Sequence, residues 1–330
     1  MPSTPKHLLE VLDFITRDSV PARAQAESLQ SVHVSRVRKT FDDPNIVGVG
    51  ISKKVTEGRE LDTLCICFYV VKKQAPSKIR FRYLVPPVLA ANNGKATFTD
   101  VKVVGQLVPE RNPLVKRRAI ESAFSVGHVN ITAGTLGAIV KKGSKRYLLS
   151  NSHVLADSGR GKPGDKVLYP GPADGGTEPA DWIATLSEIV PFTKGGAFVN
   201  EVDAALAEIR EEQLAKAKYA VAKAAVPLAI GVPRRDMLVT KRGRTTGVTT
   251  GKIIDTDFRF VLNYDGVGKV GFTGQVLCER YTDGGDSGSL VVDTETGRVV
   301  GMHFAGANGG SVFNPIQSVI KALKFAFTAS

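Results

Sequence analysis

A glycine-rich turn around Ser287 is the strongest chemical signal in the sequence. It reads Gly284-Gly-Asp-Ser-Gly-Ser-Leu290. A nucleophilic serine needs its hydroxyl at a tight turn, and flanking glycines allow that backbone while keeping the approach to a substrate carbonyl open. If Ser287 attacks, the N–H groups of Gly285 and Ser287 are the expected donors to the developing oxyanion. The competing interpretation is an ordinary Gly-Asp-Ser turn between strands, so the motif is only suggestive when taken alone.

A serine hydroxyl is a weak nucleophile until a base accepts its proton, and the chain offers five histidines. His153 stands where an apolar strand ends in small polar residues, in Tyr147-Leu-Leu-Ser-Asn-Ser-His-Val-Leu-Ala156. His303, within Gly301-Met-His-Phe-Ala-Gly306, is the one serious competitor. A histidine at a strand end is more often structural than catalytic, but the pattern around His153 favours a general base.

The third chemical requirement is an acid that orients the base and stabilises its charged form. Asp203 opens the apolar strand Asp203-Ala-Ala-Leu-Ala-Glu-Ile209, where its carboxylate could be buried against a histidine. Four other aspartates have the right order in the chain but stand in polar, Gly- and Pro-rich stretches that are typical of solvent-exposed loops. These alternatives are Asp157, Asp165, Asp174 and Asp181.

The elements that must position these residues begin after residue 125. Short apolar strands alternate there with Gly, Asn and Asp turns, which favours an antiparallel barrel or sandwich over a βαβ fold. Roughly six candidate strands in each half would suit two packed barrels. A Lys- and Ala-rich insertion, from Arg210 to about Ala225, is typical of a surface helix. A C-terminal helix is also predicted, with Asn314 as its cap and Pro315 in its first position.

The first part of the chain has a different texture. Residues 1 to about 40 show a helical pattern, and strand-like runs follow at Ile46 to Ser52, Leu61 to Val71 and Thr97 to Val108. The stretch Pro109-Glu-Arg-Asn-Pro-Leu-Val-Lys-Arg-Arg118 then brings two prolines and four basic residues together. We therefore predict a small α+β domain over residues 1–112, a linker over 113–124 and a second domain over 125–330.

Composition narrows the function classes. The net charge is +12, but the basic residues are scattered in pairs without interleaved aromatics, so a solvated basic surface is favoured and no specific nucleic-acid partner is expected. The most apolar stretch is interrupted, which predicts no membrane partner. The three cysteines, at Cys65, Cys67 and Cys278, have no metal-ligand spacing. So few cysteines, with no secretory signal, suggest a cytoplasmic protein.

Taken together, the three segments resemble the signatures of trypsin-like serine peptidases, in the order His153, Asp203, Ser287. That order separates the family from subtilisins and α/β-hydrolases. The run Gly243-Arg-Thr-Thr-Gly247 is similar to the segment that opens the second barrel in bacterial members. Further motifs resemble a narrower group, the bacterial and plant proteins related to the rice leaf-width regulator called narrow leaf. These are Thr132-Ala-Gly-Thr-Leu-Gly137, Pro170-Gly-Pro-Ala-Asp-Gly-Gly176 and Val47-Gly-Val-Gly-Ile-Ser-Lys-Lys54.

The resemblance implies a mainly β chymotrypsin-like double barrel with a C-terminal helix, preceded by the α+β domain. It implies a serine endopeptidase acting on a protein or peptide substrate, with no cofactor and no metal. The positions that match the family's substrate pocket are Tyr281, His303, Phe304 and Gly306. Tyr281 stands where a basic-residue cleaver carries aspartate, which argues against cleavage after Lys or Arg. The segment around His303 resembles that of glutamyl endopeptidases, so contact with an acidic P1 side chain is an alternative to a packed histidine.

Two questions stay open at this point. A catalytically weak trypsin-like scaffold that serves as a binding or regulatory module is the alternative to a peptidase. The N-terminal domain could regulate the peptidase, recruit substrate, mediate self-association or be a removable pro-segment. Residues Ala119-Ile-Glu-Ser122 lack the start typical of activated trypsin-type enzymes, so we expect no obligatory cleavage in the linker.

Overall fold

The computed structural model describes residues 4–16, 37–90, 96–107, 120–216, 229–307 and 309–327. Strands far outnumber helices in the described chain, and they form two curled sheets of eight and eleven strands. This confirms the predicted mainly β fold. No helix in these ranges is long and apolar enough to cross a membrane. The linker predicted over 113–124 lies outside the described residues as far as residue 119.

Residues 125–330, the predicted second domain, are called the peptidase-like region below, after the resemblance described above. Most strands of the eight-stranded sheet come from the first half of this region, and their order is β19-β7-β8-β12-β10-β9-β5-β6. Its strands are β5 (Ser125–His128), β6 (Gly134–Thr135), β7 (Ala138–Lys142), β8 (Lys145–Ser150), β9 (Lys166–Leu168), β10 (Trp182–Ile189), β12 (Ala205–Ile209) and β19 (Ala326–Phe327). Aliphatic side chains such as Leu148, Leu186 and Ala207 fill its interior. The burial of these apolar faces is what curls and stabilises the sheet.

The eleven-stranded sheet has the order β11-β15-β18-β17-β16-β13-β14-β1-β2-β4-β3. Six of its strands belong to the second half of the peptidase-like region, and β11 joins them from the first half. These seven strands are β11 (Phe198–Asn200), β13 (Leu238–Gly243), β14 (Gly247–Tyr264), β15 (Gly268–Cys278), β16 (Leu290–Asp293), β17 (Val299–Ala307) and β18 (Gly310–Pro315). Strand β15 also pairs with β14, so this part of the sheet folds back on itself.

The N-terminal strands extend the same sheet. They are β1 (Ile46–Thr56), β2 (Arg59–Val70), β3 (Val88–Ala90) and β4 (Ala96–Val103). Strand β1 pairs antiparallel with β14 through Gly48 opposite Phe260 and Val49 opposite Arg259. Helix α1 (Lys6–Thr16) packs its apolar face on β1 and β2. The division into domains at residues 112 and 125 stays a prediction, and strands from both sides of it share this sheet.

A third apolar cluster lies where the two peptidase-like sheets meet. Leu149 and Leu206 of the first sheet contact it, as do Leu290 and Met302 of the second. Helix α3 (Ile316–Leu323) adds Ile316, Val319 and Leu323 to the same cluster. The candidate chemical residues lie on short connecting segments. His153 lies in the short helix α2 (Ser152–Leu155), Asp203 lies just before β12, and Ser287 lies in the turn before β16.

The predicted C-terminal helix exists, but its predicted cap is wrong. Pro315 is the N-cap residue, and no side chain caps the helix. The Asn314 side chain turns inward instead: its Oδ1 accepts the backbone N–H of Asp203 at 3.0 Å, and its Nδ2 donates to Gln275 Oε1 at 2.6 Å. The backbone N–H of Asp203 is buried and needs a partner, so the Asn314 side chain binds it instead of capping the helix. The predicted surface helix begins as a 3-10 helix over Glu211–Lys216, and its remainder lies outside the described residues.

Candidate active site

The Ser287 turn connects β15 to β16 and depends on glycine geometry. Gly285 and Gly288 have φ angles of 96° and 99°, in the left-handed region that side chains other than glycine rarely adopt. A Cβ atom on Gly288 would lie 2.1 Å from both Ser150 Oγ and the Thr135 carbonyl oxygen. The glycines on both sides of Ser287 are therefore required by backbone conformation, and at Gly288 also by close packing.

A buried ion pair between Lys241 and Asp286 anchors the Ser287 turn. Lys241 Nζ lies 2.9 Å from Asp286 Oδ2, and both side chains are fully buried. Thr246 Oγ1 accepts a hydrogen bond from Lys241 Nζ and donates to Asp286 at 2.6 Å. Burial by itself raises the pKa of Asp286, but the Lys241 charge and the hydrogen bonds to the carboxylate bring it below its ordinary value. The carboxylate is therefore ionised and fixed.

Threonine hydroxyls fix the peptide planes that precede Ser287. Thr245 Oγ1 donates to the Gly284 carbonyl at 2.6 Å, and Thr135 Oγ1 donates to the Gly285 carbonyl at 2.7 Å. In a trans peptide the N–H points opposite to the C=O. The N–H of Gly285 shares a peptide plane with the Gly284 carbonyl and therefore points away from Thr245. The hydrogen bond from the Thr245 hydroxyl to that carbonyl fixes the direction of the N–H.

His153 lies in α2, directly after β8, and its ring meets Asp203. The Nδ1 atom of His153 lies 2.6 Å from Asp203 Oδ2, and both side chains are buried. Asp203 Oδ1 also accepts the backbone N–H groups of Ser152 at 2.7 Å and His153 at 3.2 Å. A buried carboxylate must be hydrogen-bonded to remain charged. The helix N-terminus and the imidazole together meet that need for Asp203.

A fourth donor reaches the same carboxylate from the other sheet. Tyr264, the last residue of β14, donates its hydroxyl to Asp203 Oδ2 at 2.6 Å. The backbone of Asp203 is held as well, because Asn151 Nδ2 donates to its carbonyl at 2.8 Å. No sequence pattern indicated a role at this site for Tyr264, Asn151 or Lys241, and the pattern at Asn314 indicated a helix cap instead. Lys241 had a signal, since it interrupts a β-strand between buried positions; Tyr264 had none.

No hydrogen bond joins Ser287 to the Nε2 atom of His153. Ser287 Oγ donates to the Phe304 carbonyl at 3.4 Å. His153 Nε2 is buried and has no hydrogen-bond partner among the residues described. Ser287 exposes 0% of its surface. Catalytic hydrogen bonds are often long before substrate binds, so this geometry is compatible with a nucleophile and base that close on binding.

The other aspartates considered from the sequence have partners elsewhere. Asp157 pairs with Arg160, and Asp165 pairs with His128 Nε2 at 3.1 Å. Asp174 was expected to be exposed, and this is wrong. Its side chain is fully buried because Arg244 binds both of its oxygens, at 2.6 and 2.8 Å.

The residues that match the family's substrate pocket are buried. The Tyr281 ring meets the edge of the His303 ring at 6.3 Å between centroids, and a Cβ on Gly251 would lie 2.7 Å from Tyr281 Cδ1. Phe304 packs among phenylalanines, with its ring centroid 5.0 Å from that of Phe272. Gly306 pairs with Ser311 across β17 and β18. Within the described ranges, no group of three His, Cys, Asp or Glu side chains is placed to hold a metal.

The chain is similar to several solved structures, all at low sequence identity. Thermobifida fusca protease A is 16% identical, with 64% of this chain and 100% of that chain covered and a TM-score of 0.45. A glutamic acid specific serine protease is 13% identical, with 63% and 100% covered and a TM-score of 0.43. Cellulomonas bogoriensis chymotrypsin is 13% identical, with 64% and 100% covered and a TM-score of 0.42.

No curated protein sequence matches the chain. Residues 134–302 match the family described as the trypsin-like peptidase domain, and this stretch covers just over half of the 330 residues. It contains the His153 helix, the Asp203 strand and the Ser287 turn. The chain therefore belongs to the family of proteins with a trypsin-like peptidase domain.

Proposed function

We propose that the protein is a serine endopeptidase that hydrolyses peptide bonds through an acyl-enzyme intermediate, with His153, Asp203 and Ser287 as its catalytic triad. The observation that carries the proposal is the buried contact of 2.6 Å between His153 Nδ1 and Asp203 Oδ2, beside the glycine-bounded turn of Ser287. Such an acid orients the imidazole and leaves its other nitrogen to act as the base.

In the acylation step, Ser287 Oγ attacks the substrate carbonyl carbon while His153 Nε2 takes the hydroxyl proton. The C–N bond then breaks, and His153 returns the proton to the leaving amine. In the second step, His153 removes a proton from water, and the water oxygen attacks the acyl carbon. The bond between the acyl carbon and Ser287 Oγ then breaks, and His153 returns the proton to Ser287 Oγ. Asp203 stays ionised throughout and stabilises the imidazolium that forms twice in the cycle.

The oxyanion is proposed to bind the N–H groups of Gly285 and Ser287. The fixed carbonyls of Gly284 and Asp286 support this assignment, because each lies in the same peptide plane as one of the two donors. Thr245 Oγ1 donates to the Gly284 carbonyl, and the Asp286 carbonyl accepts the hydroxyl of Ser289 at 2.5 Å and its backbone N–H at 3.0 Å. A single donor of this kind contributes about 3 kcal/mol to transition-state stabilisation in related sites. Preorganisation matters because the donors then need no rearrangement when negative charge develops.

Specificity is proposed more narrowly than the family label suggests. Tyr281 is buried where a basic-residue cleaver carries aspartate, which argues against Lys or Arg at P1. His303 is also fully buried and packs against Tyr281, which favours a packed histidine over a ligand for acidic P1 residues. A peptide library would decide between these two roles of His303: preference for Glu or Asp at P1 supports the ligand role, and indifference supports packing.

The direct test is hydrolysis of casein and of a fluorogenic peptide mixture by the whole chain. We expect the Ser287→Ala variant to lose at least about three orders of magnitude in rate, because no other described side chain can serve as the nucleophile in this geometry. Ser52→Ala is the matched control, since Ser52 is equally buried but lies in β1. Full activity in Ser287→Ala would refute the proposal.

A catalytically weak scaffold that binds other proteins is the second candidate function. Two observations favour it: Ser287 is fully buried, and His153 Nε2 makes no hydrogen bond within the described chain. This alternative predicts that the wild type and Ser287→Ala are indistinguishable on every substrate offered, while both remain folded.

A further inference from the structure

Tyr264 makes a hydrogen bond that reaches from the second sheet to the acid beside His153. Its hydroxyl donates to Asp203 Oδ2 at 2.6 Å, across 61 positions in the sequence and between the two peptidase-like sheets. The accepting atom is the same oxygen that meets His153 Nδ1, also at 2.6 Å. The tyrosine and the imidazole therefore share one carboxylate oxygen.

The Asp203 carboxylate has a complete set of four donors. Its other oxygen accepts the backbone N–H groups of Ser152 and His153, and the side chain exposes no surface. Two of the four donors are backbone groups, one is the imidazole, and Tyr264 is the last. Without the Tyr264 hydroxyl, the shared oxygen would keep His153 Nδ1 as its sole described donor.

Packing fixes the position of the Tyr264 hydroxyl. The ring of Tyr264 is 1% exposed and stacks on Phe192 at 5.1 Å between centroids with 23° between planes. Phe272 lies against it at 6.3 Å, and the His153 ring at 6.0 Å. Burial, followed by the Asp203 charge, raises the pKa of Tyr264 well above its ordinary value. The hydroxyl therefore stays protonated at neutral pH and can donate to Asp203.

We propose that Tyr264 is a positioning residue for the triad: it holds Asp203 in the orientation that presents one oxygen to His153, and it withdraws negative charge from that oxygen. This inference rests on the proposed peptidase function. Tyr264 does not touch substrate in this account. It acts through Asp203, and its effect is expected in the turnover step and in the pH dependence, not in substrate binding.

The test is Tyr264→Phe in the full chain, which removes only the hydroxyl and keeps the stacked ring. We expect kcat to fall about tenfold with KM unchanged, because a hydrogen bond to a charged group is lost on the path to the transition state. The midpoint of the acidic limb of the kcat/KM profile should rise by about half a pH unit, because the carboxylate facing the base becomes more negative.

Tyr69→Phe is the matched control. Tyr69 is a buried tyrosine that donates to a buried aspartate, Asp255, at 3.2 Å, and it lies in β2 outside the triad. Its variant should lose stability while keeping kcat and the pH profile of the wild type. If Tyr264→Phe also kept both, while Ser287→Ala was inactive, the positioning role would be wrong and the peptidase proposal would stand.

Two further measurements cover the remaining outcomes. If Tyr264→Phe does not fold, a fluorinated tyrosine at 264 keeps ring and hydroxyl but donates more strongly, and the acidic midpoint should move to lower pH; no movement would refute the role. If the wild type hydrolyses nothing, the peptidase proposal fails, and proton NMR still decides the inference. The low-field Nδ1 proton of His153 should move downfield in Tyr264→Phe, and an unchanged resonance would overturn it.

Discussion

At the residue scale, the chemistry depends on side chains that the motifs do not contain. The serine turn is recognisable from its glycines, and His153 from the small polar residues before it. Asp203 could be separated from its four competitors only by its place at the head of an apolar strand. In the structure, the Asp203 carboxylate accepts four hydrogen bonds, including one from Tyr264, and its catalytic role stays a proposal. No local pattern marks Tyr264, because its partner lies far away in the chain.

Lys241 is the residue whose removal should damage the Ser287 turn most without touching the triad. In Lys241→Met the Asp286 carboxylate stays buried but loses its countercharge, and breaking a buried pair in this way costs about 3 to 5 kcal/mol. Urea denaturation of the purified variant measures this loss in the free energy of unfolding.

The matched control for that experiment is Lys321→Met. Lys321 lies 3.5 Å from Glu201 with both side chains largely exposed, and such surface pairs contribute little. Equal stability losses in the two variants would show that the buried pair does not hold the turn.

At the element scale, the strands were predictable and their connections were not. Short apolar runs bounded by turn residues indicated most of the strands. Strands β1, β2 and β4 begin within two residues of the predicted runs. The pairing of β1 with β14 was not foreseen, because it depends on the register of strands some two hundred residues apart. The same limit explains Asn314, which has the sequence pattern of a helix cap but binds the backbone of Asp203.

The shared sheet bears on whether the N-terminal region is a removable pro-segment. Val47 of β1 and Tyr69 of β2 belong to the same buried cluster as Phe260 and Phe272 of the second peptidase-like half. We predict that a chain starting at residue 120 is insoluble, because it exposes this cluster and the unpaired edge of β14.

Expression of residues 120–330 beside the full chain measures this, with the soluble fraction and cooperative thermal unfolding as readouts. Intact-mass measurement of the active full chain should likewise show no processing in the linker. A soluble, active fragment would mean that the N-terminal strands are dispensable after folding.

At the scale of the whole molecule, the seam between β1, β2 and β14 contains a buried acid. Asp255 accepts the Tyr69 hydroxyl, and a Cβ on Gly50 would lie 2.0 Å from its Oδ2. Burial raises the pKa of Asp255 from 3.8 to about 7, and the nearby charges of Asp257 and Arg235 oppose one another. The native protein therefore retains a proton that the unfolded chain has released.

Stability should fall as pH rises between about 4 and 7, because the unfolded state binds fewer protons than the native state in that window. We expect a loss on the order of 3 kcal/mol from this group, and Asp255→Asn should remove it. Denaturation curves at several pH values measure the slope. Identical slopes in the wild type and Asp255→Asn would show that ionisation of Asp255 does not weaken the seam.

The family assignment is firm at this scale, while finer predictions stay predictions. The match over residues 134–302 establishes the trypsin-like peptidase domain. The kinship with the narrow leaf group and the cytoplasmic location rest on sequence patterns. The three cysteines are buried and free, a state compatible with a reducing compartment. The preferred P1 residue could not be predicted from the sequence. Tyr281 and His303 match positions of the family's substrate pocket, but they are buried and pack on each other.

Labelling with a fluorophosphonate probe tests the central claim most directly. An activated serine attacks the phosphorus and expels fluoride, so the adduct reports the nucleophile without any knowledge of the substrate. We expect a single adduct on Ser287, located by peptide mass, with none in Ser287→Ala and much slower labelling in His153→Ala. A folded wild-type protein that leaves Ser287 unmodified, or labels equally fast without His153, would contradict it.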